Sequence, residues 1–255
     1  MDPLAILAGF AVGAIVGITG VGGGSLMTPL LIGVFKLNPA LAIGTDLWFA
    51  ALTKAGGSVA HHRLGHVDYR VTALLLAGSL PATLLMVAWM HLAGGSFGWN
   101  RVLTVSLGIA LLLTAISVAY RHLWIRLGER LERWLPERRK AVLTVAAGAL
   151  LGVLVSLSSI GAGAIGATLL LLLHPRMPSH RVVGTDIAHA VPLTLVAGIG
   201  HATLGHVDWA LLATLLVGSL PGIWLGARIT RSLPDRWVRS ALCLSLMAAG
   251  LKVLS

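Results

Sequence analysis

The sequence predicts an all-α integral membrane protein built from two inverted repeats, each a glycine-broken re-entrant helical hairpin plus three transmembrane helices. Three observations carry this. The chain is 56% hydrophobic and only 11% charged, too little polar surface to coat a soluble globule. One passage occurs twice: Gly44-Thr45-Asp46, Gly65-His66-Val67-Asp68 and Gly78-Ser79-Leu80-Pro81 return 140 positions later as Gly184-Thr185-Asp186, Gly205-His206-Val207-Asp208 and Gly218-Ser219-Leu220-Pro221. Between residues 41–81 and 181–221 there are 17 identities in 41 positions without a gap. Third, the basic residues fall on one side of a membrane only if two of the apolar stretches turn back inside it.

Apolar stretches lie near 4–35, 41–60, 70–92, 101–119, 141–173, 182–200, 209–227 and 237–254, mostly of the roughly 20 residues a bilayer core requires. Strand-type alternation is absent, which excludes a barrel. The first and fifth stretches are too long. A continuous helix over 4–35 would run roughly 48 Å against a hydrocarbon core of about 30 Å. The sequence supplies a break at Thr19-Gly20-Val21-Gly22-Gly23-Gly24-Ser25 and a second at Ser158-Ser159-Ile160-Gly161-Ala162-Gly163, where glycine favours non-helical backbone. Each pair of half-helices then reads as a hairpin that dips to mid-membrane and returns. The first repeat covers 1–120, a basic linker 121–140, and the second repeat 141–255.

Charge decides between hairpins and eight full crossings. With eight crossings, Lys and Arg divide ten to eight, with Lys54 inside a span. With two hairpins, fifteen gather on the side of the linker and only Lys36, Arg101 and Lys252 remain opposite, as the positive-inside rule requires. Three crossings per half is an odd number, so the second half is inverted and both termini face outward. The linker repeats Leu123, Leu127, Leu131 and Trp134 at helical spacing among Arg126, Glu129, Arg130 and Arg133, which predicts a helix lying on the cytoplasmic leaflet against anionic lipid. Trp89, Trp99, Trp209, Trp224 and Trp237 stand toward segment ends as interfacial anchors. The opening Met1-Asp2-Pro3-Leu4 lacks the basic start and cleavage site of a secretory signal, so no cleaved leader is expected.

A helix broken at mid-membrane leaves unpaired N–H groups at the start of its second half. Near Gly24 and Gly163 these donors and the positive dipole end form a site for a small anion. The candidate binding residues are Thr19, Gly20, Gly22, Gly23, Gly24 and Ser25 from the first break, Ser158, Ser159, Gly161 and Gly163 from the second, and Thr45 and Thr185 beside them. The competing reading is that the glycines only permit close helix packing. Asp46 and Asp186 are ionisable groups within spans, and such groups are by default functional. Coupling of protons and capping of helix starts both fit them. His189, one turn beyond Asp186, makes a proton relay conceivable in one half only, since its counterpart is Phe49. Lys54 either attracts the anion or snorkels to the interface.

Other chemistries find less support. His61, His62 and His66 lie on the opposite membrane face from His201 and His206 in the inverted topology, and neither group has metal-ligand spacing. Asp68 and Asp208 read as caps of the helices that follow them, and Pro81 and Pro221 as kinks. Cys243 is the single cysteine, which removes disulfide and CxxC chemistry. No cofactor and no metal are expected. The net charge of +10 flanks membrane segments instead of forming a soluble nucleic-acid-binding domain. A homo-oligomer stays open.

These residues resemble the sulfite exporter family of the TauE/SafE type, also called the toluene sulfonate uptake permease family. The resemblance spans nearly the whole chain. It rests on Gly20-Val21-Gly22-Gly23-Gly24 followed by Pro29, on Ala42-Ile43-Gly44-Thr45, on Gly65-His66-Val67-Asp68-Tyr69 with its copy ending in Trp209, and on Gly218-Ser219-Leu220-Pro221-Gly222 leading to Gly226-Ala227. It implies a multi-pass permease of the bacterial inner (plasma) membrane for small sulfur-containing anions such as sulfite or sulfonates. In one respect the chain departs from that family: after Gly-Thr the family more often has Ser, whereas positions 46 and 186 are Asp. Two acidic groups beside an anion path repel substrate unless protonated.

The expectation is therefore a non-enzymatic secondary transporter of a small anion, working by alternating access. An uncoupled anion channel would share the pore. An integral-membrane enzyme acting on lipid would gather its acid, base or metal groups near one interface, and here they are dispersed. A membrane scaffold would not need two intramembrane aspartates.

Overall fold

A computed structural model describes residues 2–19, 24–93, 98–229 and 235–254, with side chains described for these except at 19, 24–25, 227–229, 235–242 and 254. The described residues form helices and no strand. In chain order these are α1 (Pro3–Thr19), α2 (Gly24–Gly33), α3 (Pro39–Arg63), α4 (Tyr69–Ala93), α5 (Trp99–Ala119), α6 (Arg121–Glu132), α7 (Glu137–Ser158), α8 (Ala164–Leu173), α9 (Ser179–Thr203), α10 (Trp209–Ile229) and α11 (Asp235–Leu254). The helices α4, α5, α7, α9 and α10 as far as Gly226 are each long and apolar enough to cross a membrane. Away from the helix ends their exposed residues are apolar, among them Leu85 at 71% and Leu113 at 42% exposure, as lipid-facing surface requires.

The helix starts follow local chemistry. Asn38 caps α3, its side chain accepting from Leu41 N–H at 2.8 Å, and Pro39 occupies the first turn. Asp68 accepts from Val71 N–H at 3.2 Å and Asp208 from Leu211 N–H at 2.9 Å, so both cap the helices that follow, as expected. Gly65 (φ 68°) and Gly205 (φ 75°) make the left-handed turns before them. Asp46 and Asp186 do not cap the helices they belong to. Each sits in the interior of a 25-residue helix, whose start lies two residues earlier than the apolar pattern suggested in α3 and three in α9.

Glycines set the helix pairing. α1 lies along α10 and α4 along α7. A Cβ at Gly9 would strike the backbone of Leu215 and one at Gly13 that of Ser219; at Gly148 and Gly152 it would strike Leu75 and Ser79. The two pairs are one contact made twice, at offsets of 139 and 140 positions. Such backbone-to-backbone approach is how helices associate in lipid, where burial of apolar surface supplies no drive. α3 packs on α9, and α5 on α11. Met27, Leu31, Phe49 and Leu215 form one buried cluster, while Leu47, Leu75, Leu151 and Leu193 belong to another.

Two features differ from the sequence pattern. α7 runs 22 residues, about 33 Å, the length of a full crossing where the sequence pattern suggested half of one; without Glu137 to Lys140, which extend it into the polar linker, about 27 Å would remain. The amphipathic linker helix covers only Arg121–Glu132. Leu123 and Leu127 are exposed on it. Its Gly128 packs on the backbone of Leu171 and Leu172 in α8, and Glu132 pairs with Lys140 at 3.2 Å and Arg176 at 3.0 Å.

Candidate functional site

The site begins with the α3–α9 pair. A Cβ at Gly44 would meet the His206 carbonyl, and one at Gly184 the His66 carbonyl. Each glycine thus admits the loop that ends the other helix. Thr45 Oγ1 accepts from Asp208 N–H and Thr185 Oγ1 from Asp68 N–H, both at 3.0 Å. These reciprocal clasps make α3 and α9 antiparallel and put the two His-Val-Asp loops at opposite ends of the pair. The threonine hydroxyls are therefore engaged with these loops.

Just inward of each clasp is an aspartate, Asp46 at 0% and Asp186 at 4% exposure. Thr28, from α2, donates to Asp46 Oδ2. Ser159 turns its hydroxyl toward the same carboxylate. Asp186 faces the backbone N–H of Gly163 at the start of α8. Gly166 makes room for it, since a Cβ there would strike the carboxylate. Asp46 Oδ1 and Asp186 Oδ1 are both buried without a hydrogen-bond partner, which is uncommon for buried polar atoms.

Lys54 lies eight residues beyond Asp46, about two helical turns, and its ammonium turns inward. It is 8% exposed and donates to the Ala162 carbonyl at 2.5 Å. It lies within electrostatic reach of both aspartates and of His189. His189 is fully buried, with Nε2 3.0 Å from Ser79 Oγ and Nδ1 without a partner.

The second break holds this chemistry in place through its backbone. Ser159 (φ 59°), Gly161 (φ 132°) and Gly163 (φ 143°) all have positive φ, which side chains other than glycine rarely adopt. Gly166 N–H donates to Gly161 O and Ala167 N–H to Gly163 O, both at 2.8 Å, starting α8 afresh. Ser158 donates to Leu154 O at 2.6 Å and accepts from Ile160 N–H at 3.2 Å, so its hydroxyl serves the end of α7. Ser159 Oγ is buried, and the group it faces is the Asp46 carboxylate.

Of the residues singled out from sequence, the structure gathers Asp46, Asp186, Lys54, His189, Ser159, Gly161 and Gly163 into one buried cluster reached from both copies of the duplicated passage. Thr45, Thr185 and Ser158 serve backbone clasps. Gly20, Gly22 and Gly23 lie outside the described residues, as do the side chains of Thr19 and Ser25; Gly24 begins α2. Thr28, Ser79 and Gly166 were missed. Ser79 carried a signal, its place in the repeated Gly-Ser-Leu-Pro, whereas Thr28 and Gly166 had none.

A model of the family described as "Sulfite exporter TauE/SafE" matches residues 5–253. Among similar proteins is a probable membrane transporter of Bacillus subtilis, YjnA, 38% identical over 252 residues that cover 98% of each chain. A second from that organism, YdhB, is 29% identical over 98% of this chain and 99% of its own. A probable membrane transporter of Methanocaldococcus jannaschii, MJ0441, is 23% identical over 99% of this chain and 95% of its own. No solved structure gives a significant match.

Proposed function

The chain belongs to the sulfite exporter TauE/SafE family of multi-pass membrane proteins, and we propose that it is a proton-coupled secondary transporter of a small anion of the sulfite or sulfonate class. It would reside in the bacterial inner membrane and work by alternating access between two inverted halves, 1–120 and 141–255, joined by a cytoplasmic linker. The fifteen-to-three division of basic residues supports that topology, as do the antiparallel α3 and α9. The two ten-residue helices α2 and α8, about 15 Å each, are half the depth of a hydrocarbon core and suit the returning arms of re-entrant hairpins.

The observation that carries the reading is Asp186 at the N–H of Gly163. Free donors at the start of a helix attract an anion, and here the protein's own carboxylate stands at that place. A substrate anion and an ionised Asp186 would contend for the same donors and repel each other. Taking up a proton removes the repulsion and frees the donors, so anion and proton enter together. Lys54 supplies the cation that makes a buried negative charge tolerable. Asp46, held by Thr28, is the equivalent group in the other half.

The test is flux in proteoliposomes against sulfite, thiosulfate, sulfonates, sulfate and carboxylates, with and without a proton gradient. Accumulation of a sulfur oxyanion or sulfonate that collapses with the gradient is the expected result. Accumulation that ignores the gradient would remove proton coupling, and passive flux alone would make the protein a channel.

A further inference from the structure

The linker helix α6 has two faces. At about 100° per residue, Leu123, Arg126, Leu127 and Arg130 share one side, and Gly128 and Glu132 face the opposite way. The protein holds the Gly128 side. There α6 packs on the backbone of Leu171 and Leu172 in the last turn of α8, and Glu132 pairs with Lys140 of α7 and with Arg176 just beyond α8. The other side is open. Leu123 is 57% and Leu127 44% exposed, and Trp134, two residues past the helix, is 83% exposed. Arg126, Arg130 and Arg133 stand exposed between them, and among the described residues no carboxylate forms an ion pair with any of the three.

We propose that this open side is a binding surface for anionic phospholipid, through which the charge of the leaflet steadies the α7–α8 pair. The chain sets the depth of the helix. One residue, Tyr120, separates α6 from α5, and four separate it from α7, and α5 and α7 are each long and apolar enough to cross a membrane. With the end of α8 against Gly128 as well, α6 lies level with the ends of three apolar helices, where headgroups meet hydrocarbon. Exposed leucines at that depth reach acyl chains, while the arginine stems run along the same apolar boundary and carry their guanidinium groups to the phosphates. A guanidinium offers a phosphate two parallel donors. Arg138 and Arg139, exposed at the start of α7, strengthen the same positive field, against Glu129 and Glu137 as the exposed acids of 121–140. A zwitterionic headgroup has no net charge to answer that field. Because the packed side of α6 is tied to both α7 and α8, a lipid that immobilises the open side immobilises them too. The proposal rests on α6 lying at a membrane surface and not on the anion reading.

Thermal unfolding of the purified full-length protein in neutral detergent, titrated with dioleoylphosphatidylglycerol or dioleoylphosphatidylcholine, tests the surface with no transported anion present. Phosphatidylglycerol is expected to raise the melting temperature well beyond any rise with phosphatidylcholine, and inorganic phosphate to leave it unchanged. Arg126→Gln combined with Arg130→Gln should raise the half-maximal phosphatidylglycerol fraction by about thirty-fold, roughly five-fold for each arginine beside an anionic leaflet. Arg63→Gln combined with Arg70→Gln removes the same charge from another exposed loop and should titrate like the wild type. Leu127→Ser keeps every charge and should still weaken the response several-fold. If the linker double variant does not fold, Leu127→Ser carries the result. The proposal falls if the two lipids act alike, if the folded linker variants titrate like the wild type, or if the Arg63 and Arg70 pair loses as much as the linker pair. It falls too if Leu127→Ser changes the oligomeric state in lipid-free detergent, which would give the face to a second copy. Absence of sulfur-anion flux in proteoliposomes would remove the anion reading and leave these melting curves as they stand.

Discussion

In the clasps at their loop ends the two copies of the duplicated passage match, and at their centres they do not. Thr45 and Thr185 hold the opposite loop with hydrogen bonds of the same 3.0 Å, and Gly13 meets Ser219 as Gly152 meets Ser79. Toward the centre, Lys54 crosses to the Ala162 carbonyl in the second break. Its counterpart Thr194 donates to carbonyls of its own helix, Ala190 at 2.9 Å and Val191 at 3.3 Å. His189 meets Ser79, whereas the position equivalent to His189 is Phe49. Duplication supplied a paired scaffold, and divergence placed Lys54 in one copy and His189 in the other. Transport chemistry should accordingly respond unequally to equivalent substitutions, while stability should respond equally.

The largest inequality is expected at Lys54. Lys54→Met leaves two buried acids without a cation, and removing one partner of a buried charge cluster costs about 3–5 kcal/mol. Flux should vanish and the melting temperature in detergent should fall sharply, whereas Thr194→Val should keep near-normal flux. A Lys54→Met protein that transports normally would show that Lys54 is a packing residue and break the comparison at its centre.

Next come the aspartates. Asp186→Asn keeps the shape at the start of α8 but carries no titrating proton, so gradient-driven accumulation should be lost while substrate-for-substrate exchange survives. Asp46→Asn should lose accumulation less completely, since Thr28 can still donate to an amide oxygen. Gly166→Ala pushes a methyl group onto the Asp186 carboxylate and should reproduce the Asp186 defect without changing either acid. Equal behaviour of the two Asn variants would restore symmetry to the centre. Full accumulation by both would move coupling elsewhere.

His189→Phe gives the second copy the residue of the first. Ser79 then loses a buried partner, at a cost of about 1 kcal/mol. Flux should fall several-fold with accumulation intact. Loss of accumulation equal to that of Asp186→Asn would instead put His189 in the proton path.

The same contrasts mark how far the sequence alone reaches. The duplication, the break after Ser158 and the buried acids were legible because each is a local pattern, a spacing or a forbidden charge, whereas the first break lies outside the described residues. Lys54 was legible as an oddity but not as a partner, because the atom it finds is a backbone carbonyl 108 positions away, and backbone carbonyls have no sequence signature. Thr28 is invisible for a related reason: a hydroxyl four residues into a helix usually satisfies its own backbone, and only packing of α2 on α3 brings it to Asp46. In the sequence Thr45 and Thr185 look like site residues because they precede the aspartates. One residue along a helix turns a side chain through about 100°, and that carries them to the clasps.

The smallest effect expected is at those clasps. Thr45→Val and Thr185→Val each delete one hydroxyl and leave a loop N–H unsatisfied, a loss of about 1 kcal/mol or somewhat more. Because the two bonds match in length and in partner type, both variants should lower the melting temperature by the same small amount and leave relative anion preference unchanged. Thermal unfolding in one detergent, beside flux at saturating anion, separates the outcomes. If Thr185→Val alone altered anion preference, or if either variant lost flux without losing stability, that hydroxyl would belong to the anion path as well as to the clasp, and the asymmetry found at the centre would extend to the ends.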